Sequence, residues 1–130
     1  MVRRIRELMV SQKDIGYYKQ ALRLAITSTC SDRHGSVIVK NGSVLSLATN
    51  RNCSNPVSKS FKKQTIHAEQ RAIACSRSDL TGSTLYSARY HRNGISTPCI
   101  MCMELIKLAG IRSVVYCNGI QSLLKFCINS

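Results

Sequence analysis

His67-Ala68-Glu69 and, further along, Pro98-Cys99-Ile100-Met101-Cys102 carry most of the information in this chain. A neutral imidazole and two thiolates are donors that a zinc ion favours. Three protein ligands in place of four leave a position open for water, as catalytic zinc requires. Cys99 and Cys102 stand three apart in the first turn of a predicted helix. Both sulfurs therefore face the same way, where the positive dipole end favours thiolates. Glu69, two residues past the histidine, is badly placed as a second ligand from a regular helix, but its longer side chain can reach a water beside the metal. One alternative is a structural zinc knuckle with Cys53 or Cys117 as fourth ligand. It has less support, because such sites present two paired knuckles and need no carboxylate beside the histidine. A redox C-x-x-C has less still, since no thioredoxin-like arrangement precedes it.

H-x-E followed by P-C-x-x-C is the general pattern of zinc nucleobase deaminases. Over roughly residues 15 to 120 the chain resembles the cytidine deaminase-like superfamily, which includes cytidine, deoxycytidylate and tRNA adenosine deaminases. The resemblance implies an α/β fold, a three-layer αβα sandwich around a mixed sheet of about five strands. It implies one zinc ion per chain, held by His67, Cys99 and Cys102, and hydrolytic removal of an exocyclic amine by zinc-activated hydroxide. Glu69 would act as base and then as acid. It also implies substrate contacts at Asn50, Ala68, Thr97 and Pro98, and a homo-oligomer. An asparagine in a loop is otherwise most often a turn residue, and that reading of Asn50 stays open. Three positions depart from the family pattern: Arg71 replaces the asparagine of many deoxycytidylate deaminases, Thr97 replaces a glutamate before Pro-Cys, and Ala48-Thr49 replace glycine and an aromatic. None touches the metal or the base, so the reaction class carries over more cleanly than the substrate.

The 130 residues suit one domain, 1–130, with residues 1–13 as a basic N-terminal arm or helix burying Ile5 and Leu8-Met9. No apolar run approaches the roughly eighteen residues of a membrane span, and the N-terminus lacks a signal peptide's apolar core. Seven cysteines are an odd number, and with no secretion signal they fit a reducing cytoplasm better than a disulfide framework. Cys30, Cys75, Cys117 and Cys127 are expected as small core hydrophobes. Nineteen basic residues against six acidic ones leave a net charge of +13, which attracts polyanions without fixing a fold.

The predicted order of elements is αββαβαβα. Residues 17–29 have a helical period, with Asp14 as candidate cap. Strands 36–40 and 43–48 flank Asn41-Gly42, the strongest hairpin signal available. Residues 49–65 show no usable periodicity and read as a loop bordering the site. A helix from His67 to about Ser76 and a strand over 83–88 follow. Thr97-Pro98 is expected to start a well-buried helix that runs to Ala109 and stops at Gly110. A strand over 112–117 and an amphipathic helix bearing Ile120, Leu123, Leu124 and Cys127 complete the chain.

Three functions share these motifs. The first is an enzyme acting on a free cytosine nucleotide such as deoxycytidylate. It needs only a cation or two for the phosphate, with Lys59, Lys62, Lys63 and Arg92 as candidates. The second deaminates cytosine or adenine within single-stranded DNA or RNA, and it accounts better for so many cations. Tyr90-His91-Arg92 would then stack on and clamp a backbone. The third, a zinc-stabilised nucleic-acid-binding module without turnover, leaves Glu69 unexplained. The first is narrowly favoured.

Overall fold

Asn41 and Gly42 both take positive φ, 51° and 76°, as the tight hairpin turn requires. They fold strand β2 (Arg33–Lys40) back onto β3 (Ser43–Thr49). The structure, a computed structural model, describes residues 5–8, 10–53, 64–91, 94–119 and 122–128. Its remaining elements are β1 (Ile5–Leu8), α1 (Gln12–Ile26), β4 (Arg51–Cys53), β5 (Gln64–Ile66), α2 (Ala68–Cys75), β6 (Thr84–Tyr90), α3 (Ile100–Leu108), β7 (Ser113–Cys117) and β8 (Leu123–Ile128). The main sheet runs β1-β8-β7-β6-β2-β3. Among the described residues only β6 and β7 pair in parallel, joined by the crossover through α3; the other pairings are antiparallel. The expected mixed α/β sheet is present, with β1 bringing it to six strands.

Strand alternation separates two cores. Val37, Val39, Tyr86, Val115 and Cys117 point to one face, where Tyr18 and Ala21 of α1 cover them. Ile38, Leu85, Val114 and Phe126 point to the other, where Ala72 of α2 and Ile106 of α3 cover them. The result is the three-layer αβα arrangement. Helix α1 sits close on β2 because the positions between them are small. Ala21 and Ala25 are fully buried, and a Cβ on Gly35 would meet the Ala21 carbonyl oxygen and come within 2.7 Å of the Ala25 nitrogen.

Several expectations change. Ile5–Leu8 is a strand paired antiparallel with β8 rather than a helix, and the expected C-terminal helix is β8 itself. Leu-Leu-Lys-Phe-Cys-Ile fits a period of two as well as a helical one. The exposed edge of β7 decides between them, because its unpaired backbone groups need a partner. Ile120 lies outside the described residues. Ser11, not Asp14, caps α1; Asp14 closes the reciprocal capping box. Cys99, not Thr97, is the N-cap of α3, its sulfur accepting the Cys102 N–H while Pro98 precedes the helix. Helix α3 is far from fully buried: Ile100, Met101 and Leu108 are 86%, 61% and 81% exposed, while Cys102 and Ile106 face the sheet. The aperiodic stretch begins and ends in a short antiparallel ribbon, β4 with β5. Cys30, Cys117 and Cys127 are buried as expected, but Cys75 is exposed.

Candidate metal centre and active-site cleft

The two helix starts on one face of the sheet meet. His67 is the N-cap of α2 and Cys99 the N-cap of α3. His67 Nδ1 lies 3.2 Å from Cys102 Sγ and 3.5 Å from Cys99 Sγ. One donor atom from each residue falls within 4.8 Å of the others. Donors on one tetrahedral zinc, with bonds of the usual length, stand about 3.6 Å apart, so the spacing suits that ion. The electrostatics agree. Burial pushes the Cys102 thiol up, and Glu69 and the Cys99 sulfur push it the same way. Such a cluster holds its thiolates only with a cation among them, since a coordinating metal deprotonates a thiol outright. Zinc fits this donor set. Among the described residues no fourth histidine, cysteine or carboxylate joins the three, which speaks against the knuckle with Cys117; the Cys53 side chain lies outside the described residues.

The cleft beside the cluster has a volume of about 240 Å³. Glu69, 5% exposed, lies in its wall. Asn50, Thr97 and Pro98 line the same cleft, whereas Ala68 is fully buried and is not among the lining residues. Asn50 is committed to the backbone around it. Its Oδ1 accepts from Ser28 Oγ at 2.7 Å and from the His34 N–H at 3.0 Å, and its Nδ2 donates to the Asp32 carbonyl. Arg71 extends that clamp by donating to the Thr49 carbonyl at 2.7 Å. The departure from asparagine at this position thus ties α2 to the residue preceding Asn50. Lys59, Lys62, Lys63 and Arg92 lie outside the described residues.

Several residues in the cleft wall or behind it carry no sequence signal of their own. Asp32 and His34 stand at its mouth, where Asp32 pairs with Arg89 Nε at 2.7 Å and His34 Nε2 at 3.2 Å. Burial raises the Asp32 pKa, but these two partners outweigh it and hold the carboxyl below its ordinary value. Ser36 and Ser87 donate to Glu69 Oε1 at 3.4 and 2.8 Å. Neither was legible in the sequence, because β2 and β6 are buried on both faces and a serine there carries no signal of its own. Ser96 bridges the ends of the parallel pair: its Oγ donates to the Ser87 carbonyl and accepts the Cys117 N–H, and its own N–H meets the Cys117 carbonyl. It fills the gap beyond the last paired residues of β6 and β7. Gaps outside the carboxyl ends of parallel strands are where α/β folds place ligands.

A three-layer sheet with a histidine and two cysteines converging from facing helix starts defines a zinc-dependent deaminase of cytidine deaminase-like fold. The chain belongs to the family described as the cytidine and deoxycytidylate deaminase zinc-binding region, which matches residues 11–118. It is similar to a probable cytosine deaminase of Schizosaccharomyces pombe, 30% identical over 122 residues, covering 89% of this chain and 67% of that protein. Among solved structures it is similar to the dCMP deaminase of the cyanophage S-TIM5 in complex with dCMP and dUMP. The TM-score is 0.64 at 27% identity over 82% of each chain. The apo form of that enzyme gives 0.62 at 29% identity, again over 82% of each. No helix among the described residues is long and apolar enough to cross a membrane.

Proposed function

We propose that the chain deaminates the cytosine ring of a small substrate, deoxycytidylate in the first instance, converting it with one water into the uracil product and ammonia. The observation that carries this reading is the cleft itself. At about 240 Å³ it has room for a nucleobase beside His67, Glu69 and Cys99, which line it together. The similar phage enzyme is a dCMP deaminase bound to dCMP and dUMP, and the similar yeast protein is named for cytosine.

His67, Cys99 and Cys102 would hold the zinc ion, which when bound brings the pKa of adjacent water toward neutrality. Glu69 takes a proton from the attacking water and passes it to the ring nitrogen beside the amine-bearing carbon. It then brings the second proton to the departing amine, which leaves as ammonia. Asn50, Thr97 and Pro98 shape the wall against which the ring orients. Phosphate would be met by cations, with Lys59, Lys62, Lys63 and Arg92 as candidates. A homo-oligomer remains part of this reading, on the family resemblance.

A second reading, deamination within a single-stranded polynucleotide, is favoured by the +13 charge and by the exposed Tyr90 with Arg33 5.9 Å from its ring centroid. Ammonia release from cytosine, cytidine, deoxycytidylate, and cytosine- or adenine-containing oligonucleotides separates the two. Brisk turnover of deoxycytidylate with inert oligonucleotides is the expected result. Turnover confined to the oligonucleotides would replace the first reading by the second.

A further inference from the structure

Ser36 on β2 and Ser87 on β6 are direct cross-strand partners in register, so their hydroxyls emerge side by side on one face of the sheet. That face is the apolar one beneath α2 and α3. Along β2 the next residue on it is Ile38, and along β6 it is Leu85, both fully buried in the core. Two hydroxyls set into such a face, each with no solvent exposure, are unfavourable unless they find partners. Ser83, another fully buried serine, answers this locally by donating to the Leu80 carbonyl. Ser36 and Ser87 instead both point to one distant atom, Oε1 of Glu69, at 3.4 and 2.8 Å.

We propose that Ser87, assisted by Ser36, is a positioning residue for Glu69. Its hydroxyl pins Oε1 against the sheet and leaves the second carboxylate oxygen to exchange protons with the reacting atoms. The single proton of Ser87 has two acceptors, Glu69 Oε1 at 2.8 Å and the Ser96 carbonyl at 3.0 Å. Either acceptor keeps this buried donor paired. Ser96 lies in the cleft wall, so the same serine registers the carboxylate against the wall that orients the ring. Its role is geometric, and displacement of a reacting group by about 1 Å is enough to reduce turnover about a hundredfold.

The inference rests on Glu69 being the proton carrier, and the experiment keeps the two apart. Zinc-loaded, full-length wild type and the variants S87A, S87T, S87V, E69A and E69A/S87A are assayed for ammonia release from deoxycytidylate and cytosine, with zinc content measured in each. S87A should lower kcat about tenfold or more, leave KM within about threefold, and retain stoichiometric zinc, in keeping with loss of an oriented acid–base group. S87T should recover most of the rate and S87V should not, since the two differ by a hydroxyl at nearly equal volume. S87A should cost nothing further in the E69A background, because a residue acting through Glu69 has nothing left to position. Crystal structures of wild type and S87A should show the carboxylate displaced in the variant. Wild-type kcat in S87A, equal rates in S87T and S87V, or an unmoved carboxylate overturns the proposal while leaving Glu69's role intact. Turnover persisting in E69A removes the underlying reading instead.

Discussion

The site depends on which side chains carry charge at one spot. Glu69 is buried against Cys102, and its reach to the metal centre comes from standing two residues past His67 at the start of α2. E69A should therefore lose turnover by at least about a hundredfold, the lower end for a general acid–base group. Zinc should stay stoichiometric, because in the proposed function the residue moves protons and is not a ligand. Metal analysis of the purified variant checks both halves, and loss of zinc would make Glu69 a ligand. His67, Glu69, Cys99 and Cys102 were legible in the sequence because their types and spacing have few other uses. Ser87 was not, since a serine acquires meaning only from what lies opposite it, and Ser36 is far away in the chain. Asn50 was half legible: its place in the cleft matches expectation, while its hydrogen bonds to Ser28, His34 and Asp32 also make it a backbone brace.

Between elements, the attachment of α1 to the sheet carries the clearest stability predictions. Asp14 is buried at the helix start and accepts from Tyr86 Oη at 2.6 Å, Lys125 Nζ at 3.1 Å and the Ser11 N–H at 3.0 Å. Burial raises its pKa, but these hydrogen bonds outweigh burial and hold the carboxyl below its ordinary 3.8. A depressed carboxylate contributes stability that is present above the unfolded value and lost as pH falls through the folded one. D14N should thus lower stability at neutral pH by roughly 3 kcal/mol, as for a broken buried charge pair. It should also flatten the loss of wild-type stability below about pH 4. Urea unfolding across that range measures both. G35A should be more damaging than a surface glycine change, because its methyl would strike the backbone of α1, which cannot turn aside. A fall in melting temperature of under about 3 °C would count against that close packing. The hairpin and the two metal-bearing helices were readable because turn chemistry and helical period are local, although Cys99 rather than the expected Thr97 caps α3. β1 and β8 were not, because a short apolar run takes its period from the neighbour that needs covering, as Phe126 does beside Val114.

Across the whole molecule, the excess of positive charge is the property that fold and site leave unused. Substrate held by one or two phosphate contacts should lose less than about tenfold in apparent affinity over a fourfold rise in salt, at a slope near 0.7 per contact. Six contacts to a single strand would lose roughly three-hundredfold over the same range. Replacing Lys59, Lys62, Lys63 and Arg92 together with serine should leave zinc content unchanged and flatten the slope for deoxycytidylate by no more than about 1.4, the one or two contacts it has to lose, whereas an oligonucleotide substrate would lose about two or more. The order of strands also bears on how the protein reaches this state. β6 follows His67 in the chain yet is hydrogen-bonded between β2 and β7, and α3, which carries the cysteine pair, bridges β6 to β7. Non-local pairings meet their loop-closure penalty before their contacts form. That order predicts that the central strands pair before the cysteines come over the histidine, with ion capture after the rate-limiting barrier. Refolding followed by tyrosine fluorescence should run at a speed indifferent to zinc, and a chelator should hasten unfolding alone.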